Sequence, residues 1–164
     1  GNDTIIGNGG DDVLDGGIDI DVVSYATASA GVTVNLDTGS ATGDGSDTIT
    51  NIENIIGSSY GDTLIGDDNS NTIIGGDGND TIDGGTNIDV VSYATASAGV
   101  TVNLDLGTAT GDGSDTITNI ENIIGSSYGD TLIGDDNSNT IIGGDGNDTI
   151  IGNGGDDVLE AETT

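Results

Sequence analysis

Aspartate recurs in this sequence at intervals of nine and eighteen residues, and it is the main source of reactive side chains. The chain has 164 residues, of which 30 are Asp or Glu, and it contains no Lys, Arg, His or Cys. This composition excludes Ser–His and Cys–His nucleophilic pairs, Schiff-base chemistry, ordinary zinc sites and iron–sulfur clusters. The remaining carboxylate, hydroxyl and amide oxygens are ligands for a hard cation such as Ca²⁺.

The net charge of −30 also limits the partners of the chain. Because no cationic side chain can neutralise phosphates, nucleic acids and anionic membrane surfaces are poor partners. No apolar run is long enough for a transmembrane helix, so we expect no membrane insertion. Self-association through an exposed sheet or through the ends of the molecule stays open. Calcium ions are the partner that the composition favours.

A nine-residue pattern sets the spacing of the aspartates. Residues 75–83 read GGDGNDTID, which fits G-G-x-G-x-D-x-U-x, where U is a large aliphatic residue. Residues 143–151 fit the same pattern equally well. The pattern is that of calcium-binding parallel β-helix repeats. Flanking windows keep the same frame with substitutions. A longer repeat of 68 residues contains the pattern, since the stretch VVSY at 22–25 returns at 90–93.

Each nonapeptide divides into a turn and a short strand. Glycines at positions one, two and four let six residues reverse the chain, and the x-U-x remainder is extended with U pointing inward. Two nonapeptides close a coil of about 18 residues, and stacked coils form two short parallel sheets. We therefore predict an all-β fold, a right-handed parallel β-roll or β-solenoid. The U positions expected to form its core are Ile5, Leu14, Val23, Ile49, Ile55, Leu64, Ile73, Ile82, Val91, Ile117, Ile123, Leu132, Ile141, Ile150 and Leu159.

We expect residues 1–164 to form a single continuous solenoid. The 68-residue repeat, at about 22–89 and 90–157, would build it together with matching terminal coils. The spacers 25–41 and 42–56 are each close to one coil in length, which gives four coils per repeat, two of them irregular. The alternative is a flexible spacer between two small rolls.

The sixth position of each nonapeptide supplies the candidate metal ligands. Two such residues eighteen apart would lie on successive coils, about 4.8 Å from each other. Their charges would repel strongly unless a cation lay between them. Along one edge of the roll the sixth positions are Asp12, Asp47, Asp62, Asp80, Asp115, Asp130 and Asp148. Along the other edge they are Asp3, Asp21, Glu53, Asn71, Asp89, Glu121, Asn139 and Asp157.

Main-chain carbonyls of the turns can complete the coordination of each cation. Gly76, Gly78, Gly144 and Gly146 lie in the two best-matched turns. Six or more oxygen ligands suit Ca²⁺ better than Mg²⁺. We therefore predict several calcium ions per chain.

One edge of the roll departs from the motif at Glu53, Asn71, Glu121 and Asn139. Asn is neutral and Glu is longer than Asp, so sites there are expected to be weaker, reshaped or vacant. Asn71 and Asn139 nevertheless stay among the candidate ligands.

The repeats at 75–83 and 143–151 resemble those of the RTX (repeats-in-toxin, haemolysin-type) family, whose calcium-binding β-rolls occur in secreted bacterial proteins. Residues 47–58, DTITNIENIIGS, are similar to a segment common upstream of such repeats. The resemblance implies Ca²⁺ as the cofactor, bound by sixth-position carboxylates and turn carbonyls. It also implies type I secretion, a secreted or cell-surface location, and folding only after calcium binds outside the cell.

Three classes of function are compatible with the sequence. The first is a calcium-dependent folding module. The second is an enzyme with paired carboxylates, but no unrepeated cluster of acids stands out, so we expect no catalytic residues and no enzymatic activity. The third is a repetitive spacer, adhesive or ice-binding segment of a large surface adhesin, or an engineered, idealised repeat. Outward Thr63 and Thr81 suggest a threonine column, which Val22, Asn54 and Val90 interrupt.

Overall fold

The computed structural model describes residues 1–161. These residues contain short strands and no helix, and hence no helix that could cross a membrane. The strands are β1 (Thr4–Ile5), β2 (Val13–Asp15), β3 (Val22–Ser24), β4 (Thr33–Asn35), β5 (Ser40–Thr42), β6 (Ser46–Thr50), β7 (Asn54–Ile56), β8 (Thr63–Ile65), β9 (Thr72–Ile74), β10 (Thr81–Asp83), β11 (Val90–Ser92), β12 (Thr101–Asn103), β13 (Thr108–Thr110), β14 (Ser114–Thr118), β15 (Asn122–Ile124), β16 (Thr131–Ile133), β17 (Thr140–Ile142), β18 (Thr149–Ile151) and β19 (Val158–Glu160).

Each regular strand is the x-U-x part of a nonapeptide, as the sequence predicts. In β10, Ile82 is fully buried while Thr81 is exposed and Asp83 is half-buried. The strand ends where Gly84 and Gly85 begin the next turn, in which Gly85 has a φ of 98°. Glycine adopts this positive φ without the steric cost that a Cβ atom would add. Short strands and tight turns therefore follow directly from the nine-residue pattern.

The strands form two sheets that share one core. The first sheet has eight strands, all parallel, in the order β1-β3-β7-β9-β11-β15-β17-β19. The second sheet has eleven strands in the order β18-β16-β12-β13-β14-β10-β8-β4-β5-β6-β2. The fold is therefore an all-β parallel β-roll in which most strands are parallel.

The register of neighbouring strands gives the length of a regular coil. Thr63 pairs with Thr81 in the second sheet, and Thr131 pairs with Thr149. Each pair is separated by 18 residues. The predicted coil of about 18 residues is confirmed for these regular coils.

Residues 22–53 and 90–121 depart from this geometry, and we call them the wide coils. Each contributes three strands to the second sheet, β4–β6 and β12–β14, and the middle strand is antiparallel to its neighbours. The 68-residue repeat thus contains three coils where the sequence analysis expected four. The sequence predicts two parallel sheets, but the second sheet contains antiparallel strand pairs.

A tight turn after β4 explains the difference. Gly39 N–H donates a hydrogen bond to the carbonyl oxygen of Leu36 at 3.1 Å, and Thr38 N–H donates to Asn35 Oδ1 at 2.8 Å. Gly39 has a φ of 64°, which favours glycine. The chain therefore returns beside β4 as β5 instead of crossing to the first sheet.

The inward aliphatic side chains form a continuous core. Ile55, Leu64, Ile73 and Ile82 are fully buried, and so are Ile123, Leu132 and Ile141 in the second repeat, whereas Ile150, the counterpart of Ile82, is only partly buried. Each such side chain contributes about 1.5–3 kcal/mol relative to exposure in water. The prediction that U positions are buried holds in the interior coils and is wrong for Leu159, which is 48% exposed. Leu159 lies on β19, the outermost strand of the first sheet within residues 1–161.

Candidate metal centre

The sixth-position residues lie in two rows, one along each sheet, at the edge where the strands begin. In the interior of the roll their side chains are buried, with Asp80 2% and Asp89 0% exposed. Toward the ends the burial decreases, so that Asp3 is exposed and Asp157 is half-buried. The turns therefore bring carboxylates of successive coils together in a largely buried environment.

One oxygen of each interior carboxylate accepts a hydrogen bond from the main chain of the preceding coil. Asp62 N–H donates to Asp80 Oδ1 at 2.8 Å, and Asn71 N–H donates to Asp89 Oδ1 at 2.7 Å. The same contact recurs along both rows. These hydrogen bonds fix the orientation of each carboxylate.

In five of the sixth-position carboxylates, one oxygen is buried without a hydrogen-bond partner within residues 1–161. An unpaired buried polar group costs about 1–3 kcal/mol, and an ionised one costs more. Because the chain has no Lys, Arg or His, no side chain can offset this cost as a countercharge. The five atoms are the Oδ2 atoms of Asp12, Asp21, Asp80, Asp89 and Asp148.

The electrostatic environment disfavours ionisation of two of these carboxylates, Asp80 and Asp89. Burial and repulsion from the nearby Asp115 and Asp62 carboxylates together raise the pKa of Asp80 to about 7, although the hydrogen bond from Asp62 N–H acts to lower it. Burial likewise raises the pKa of Asp89 to about 6 and raises that of Asp115. A cation beside the carboxylates would favour their ionised form.

A glycine at position one leaves space beside each unpaired oxygen. A Cβ atom on Gly84 would lie 2.8 Å from Asp89 Oδ2, and one on Gly16 would lie 2.8 Å from Asp21 Oδ2. The Cβ on Gly84 would also meet the carbonyl oxygen of Asn119 on the neighbouring coil. Carboxylate and main-chain carbonyl oxygens therefore approach the same space, and such oxygens are the ligands of Ca²⁺.

The turn glycines that the sequence analysis named as carbonyl ligands have positive φ angles. The angles are 91° for Gly76 and 133° for Gly78, and 94° and 127° for Gly144 and Gly146. A Cβ atom on Gly78 would lie 2.6 Å from the carbonyl carbon of Tyr60 in the preceding turn. Glycine is therefore required at position four both by its backbone conformation and by the close stacking of turns.

Two of the expected ligands, Asp47 and Asp115, have their second oxygen hydrogen-bonded to tyrosine. Tyr25 Oη donates to Asp47 Oδ2 at 2.7 Å, and Oδ1 of the same carboxylate accepts from Asp12 N–H at 3.0 Å. Tyr93 Oη donates to Asp115 Oδ2 at 2.8 Å. Burial raises the pKa of both phenols, so their hydroxyl groups remain donors. These two carboxylates differ from the five with an unpaired oxygen.

The role of Tyr25 and Tyr93 as hydrogen-bond donors to the carboxylate row is not evident from the nine-residue pattern alone. A signal for it was present, because both residues stand at position one of the nine-residue frame, where the regular turns have glycine. A bulky polar residue at that position indicates that its own side chain fills the space beside the neighbouring carboxylate.

Ser58 and Ser126 satisfy two further expected ligands. Ser58 N–H donates to Asp62 Oδ2 at 2.5 Å, and Ser58 Oγ donates to Oδ1 at 2.8 Å. Ser126 makes the same two bonds to Asp130, at 2.6 and 2.8 Å. Asp62 and Asp130 are therefore held by their own turns.

The asparagines of the first-sheet row are also engaged within the protein. Asn71 Nδ2 donates to the carbonyl oxygen of Glu53 at 2.7 Å, and Asn71 Oδ1 accepts from Asp67 N–H at 2.8 Å. Asn139 makes the equivalent bonds in the second repeat. At these positions a neutral amide bridges two coils through hydrogen bonds.

Side chains alone do not form a complete metal site in residues 1–161, where no group of three or more acidic side chains is placed to hold a metal ion. A cation in these turns would therefore need oxygen ligands besides carboxylates, such as the main-chain carbonyls of the turns.

Stacked parallel coils, glycine-rich turns and buried unpaired carboxylates define an acidic β-roll whose turns suit a hard cation. The sequence matches the RTX calcium-binding nonapeptide repeat (four copies) over residues 1–23, 56–91 and 124–159. These segments cover more than half of the chain, which therefore belongs to this family of calcium-binding repeats. RTX repeats are typical of secreted bacterial proteins, and the repeat domain is structural rather than catalytic. No curated protein gives a significant match to the chain.

Proposed function

We propose that this chain is the calcium-dependent folding module of a secreted or cell-surface bacterial protein. It is unfolded without Ca²⁺ and folds when it binds several ions outside the cell. The observation that carries the proposal is the set of five buried carboxylate oxygens without partners in residues 1–161. A cation supplies the missing positive charge, so metal binding and folding are one equilibrium.

Within this proposal, the carboxylates with an unpaired oxygen are the first ligands. Asp12, Asp80 and Asp148 serve the second-sheet row, and Asp21 and Asp89 serve the first-sheet row. The carbonyls of the glycine turns complete the coordination, as at Gly76, Gly78, Gly144 and Gly146. Asp3 and Asp157 have the same role in the terminal coils.

The proposed module acts as one continuous solenoid over residues 1–161, and the predicted boundary at residue 164 lies outside the described residues; the module has no catalytic site of its own. Its charge of −30 supports an unfolded state in the calcium-poor cytoplasm, because like charges repel in a compact chain. An unfolded chain is suited to type I secretion, and calcium outside the cell then drives folding.

A calcium titration followed by far-UV circular dichroism tests the proposal. The wild-type chain should change from coil to β-structure, and Asp80→Asn with Asp148→Asn should raise the calcium midpoint about threefold to tenfold because each change removes an oxygen ligand. The matched control is Asp37→Asn with Asp105→Asn, two exposed carboxylates in the hairpin turns of the two repeats. Its midpoint should stay unchanged or fall slightly. A calcium-free chain with a full β-spectrum would contradict the proposal.

An ice-binding face is the second candidate, and one observation favours it. Thr33, Thr63, Thr81 and Thr116 are consecutive partners on the outer face of the second sheet, about 4.8 Å apart. The interruptions noted in the sequence, such as Val22, belong to the first sheet.

Ice-crystal shaping by the calcium-folded protein tests this candidate. Thr63→Tyr with Thr81→Tyr should abolish shaping because the bulky rings break the flat column. Thr72→Tyr with Thr140→Tyr, on the first sheet, is the control and should leave shaping intact. Absence of shaping by the wild-type protein rules this candidate out.

A further inference from the structure

Position one of the nonapeptide distinguishes the wide coils from the regular coils. Gly57 N–H donates to the carbonyl oxygen of Ile74 at 2.8 Å, and Tyr25 N–H donates to that of Ile56 at 2.8 Å. Tyr25 therefore occupies the place in the main chain that Gly57 has in a regular coil. Tyr93 makes the same bond in the second repeat.

The residue at this position contributes to what the second carboxylate oxygen meets, as does the serine at position two in the turns of Asp62 and Asp130. Beside Gly75, Asp80 Oδ2 is buried and has no partner in the described chain. Beside Tyr25, Asp47 Oδ2 accepts the tyrosine hydroxyl at 2.7 Å. Both carboxylates accept a main-chain N–H on Oδ1. The two turns thus differ in the donor to Oδ2, which is a hydroxyl in one and missing in the other.

We propose that Tyr25 and Tyr93 replace calcium in the wide coils, so that Asp47 and Asp115 bind no calcium. The inference rests on the proposed function, since it states which turns of a calcium-binding roll bind no calcium ion. Calcium then binds in the stretches that contain the unpaired oxygens, and the two Tyr–Asp pairs hold the roll between those stretches.

The family match divides the chain in the same way. The matched segments 1–23, 56–91 and 124–159 contain all five carboxylates with an unpaired oxygen. Asp47 and Asp115 both lie in the gaps between these segments. The calcium-repeat pattern is therefore lost where tyrosine supplies the hydrogen bond.

The wide coils also have structural support that involves no carboxylate. Strands β4, β5 and β6 pair as an antiparallel sheet, and Ile49 N–H donates to the carbonyl oxygen of Gly39 at 2.9 Å. These main-chain hydrogen bonds need no cation. They hold Asp47 in the second sheet beside the Tyr25 hydroxyl.

Counting bound calcium in asparagine variants tests the inference. Asn at position 47 or 115 can still accept the main-chain N–H on Oδ1, and its Nδ2 can donate to the tyrosine hydroxyl. Asp47→Asn with Asp115→Asn should therefore keep the wild-type number of bound ions in equilibrium dialysis and a calcium midpoint within about twofold. Asp80→Asn with Asp148→Asn, the reference pair, should lose bound ions and raise the midpoint about threefold to tenfold. Equal loss in both pairs overturns the inference, and so does failure of the Asp47/Asp115 pair to fold in saturating calcium.

Phenylalanine variants test the same hydrogen bonds by removing the tyrosine hydroxyl groups. Tyr25→Phe with Tyr93→Phe leaves the two aspartate oxygens unpaired, so the calcium midpoint should rise about threefold or more. Tyr60→Phe with Tyr128→Phe is the matched control, since these tyrosines are 50% and 48% exposed against 3% and 4% for Tyr25 and Tyr93. Identical midpoints for the two pairs overturn the inference.

The two levels of proposal fail differently in these experiments. A wild-type chain that binds no calcium and is folded without it overturns the proposed function. A wild-type chain that folds with calcium but loses ions on Asp47→Asn overturns only the role of the tyrosines.

Discussion

The sixth-position aspartates are alike in the sequence, but the structure separates them by what lies beside the second oxygen. Asp80 and Asp115 are neighbours in one row, joined by a hydrogen bond of 3.0 Å from Asp80 N–H to Asp115 Oδ1. Only Asp80 retains an unpaired buried oxygen, because Tyr93 donates to the carboxylate of Asp115. A proton or a cation can relieve the cost at Asp80, and this competition gives a pH dependence.

Acidification should partly replace calcium. Burial raises the pKa of Asp80 to about 7 and that of Asp89 to about 6, above the ordinary value of 3.8. The folded chain therefore binds more protons than the unfolded chain between about pH 4 and about pH 7, and its free energy of unfolding falls as the pH rises through this range. We expect more β-structure at about pH 5 than at about pH 7.5 in far-UV circular dichroism of calcium-free protein. Asp80→Asn with Asp89→Asn should reduce this difference, and identical wild-type spectra at both pH values would argue against buried carboxyl groups.

At the scale of the strands, the nine-residue pattern predicts each regular turn and strand. It does not predict how strands that are distant in the sequence pair. The turn and strand of residues 75–83 follow from glycine at positions with positive φ and from a single inward Ile82. Apolar and polar residues alternate in 32–36, which is typical of a strand and agrees with β4, but the direction of β5 depends on one turn that ends at Gly39. Counting residues per coil therefore could not predict the hairpin of β4 and β5.

Local sequence also does not determine which sheet a strand joins. Residues 4–14 and 149–159 are identical, yet the first segment runs from the first sheet to the second and the other runs from the second sheet to the first. Stacking on the preceding coil makes this choice. The same limit applies to the candidate site, where both carboxylate rows were predictable but the contact from Tyr25 to Asp47 required the wide coil.

At the scale of the whole molecule, the main contacts between strands within residues 1–161 join strands of the same coil or of adjacent coils, and the core is thin. A solenoid of this kind gains stability from the interfaces between adjacent repeats, so folding should be cooperative along the roll. The aligned carboxylates oppose this stacking, since their burial and mutual repulsion act in every regular coil. Cations bound between coils would replace this repulsion with attraction in every regular coil. The folding transition should therefore depend steeply on the cation concentration.

The choice of cation distinguishes specific sites from general charge screening. Ca²⁺ accepts six to eight oxygen ligands in flexible geometry, whereas Mg²⁺ requires octahedral geometry and loses water reluctantly. Calcium at millimolar concentration should therefore convert an expanded chain to a compact β-rich rod, and magnesium at the same concentration should leave it expanded. Far-UV circular dichroism and small-angle X-ray scattering measure the two changes, with a monovalent salt at equal ionic strength as the control. If magnesium or the monovalent salt compacts the chain as calcium does, screening of the 30 acidic residues drives folding, and the turns are not specific calcium sites.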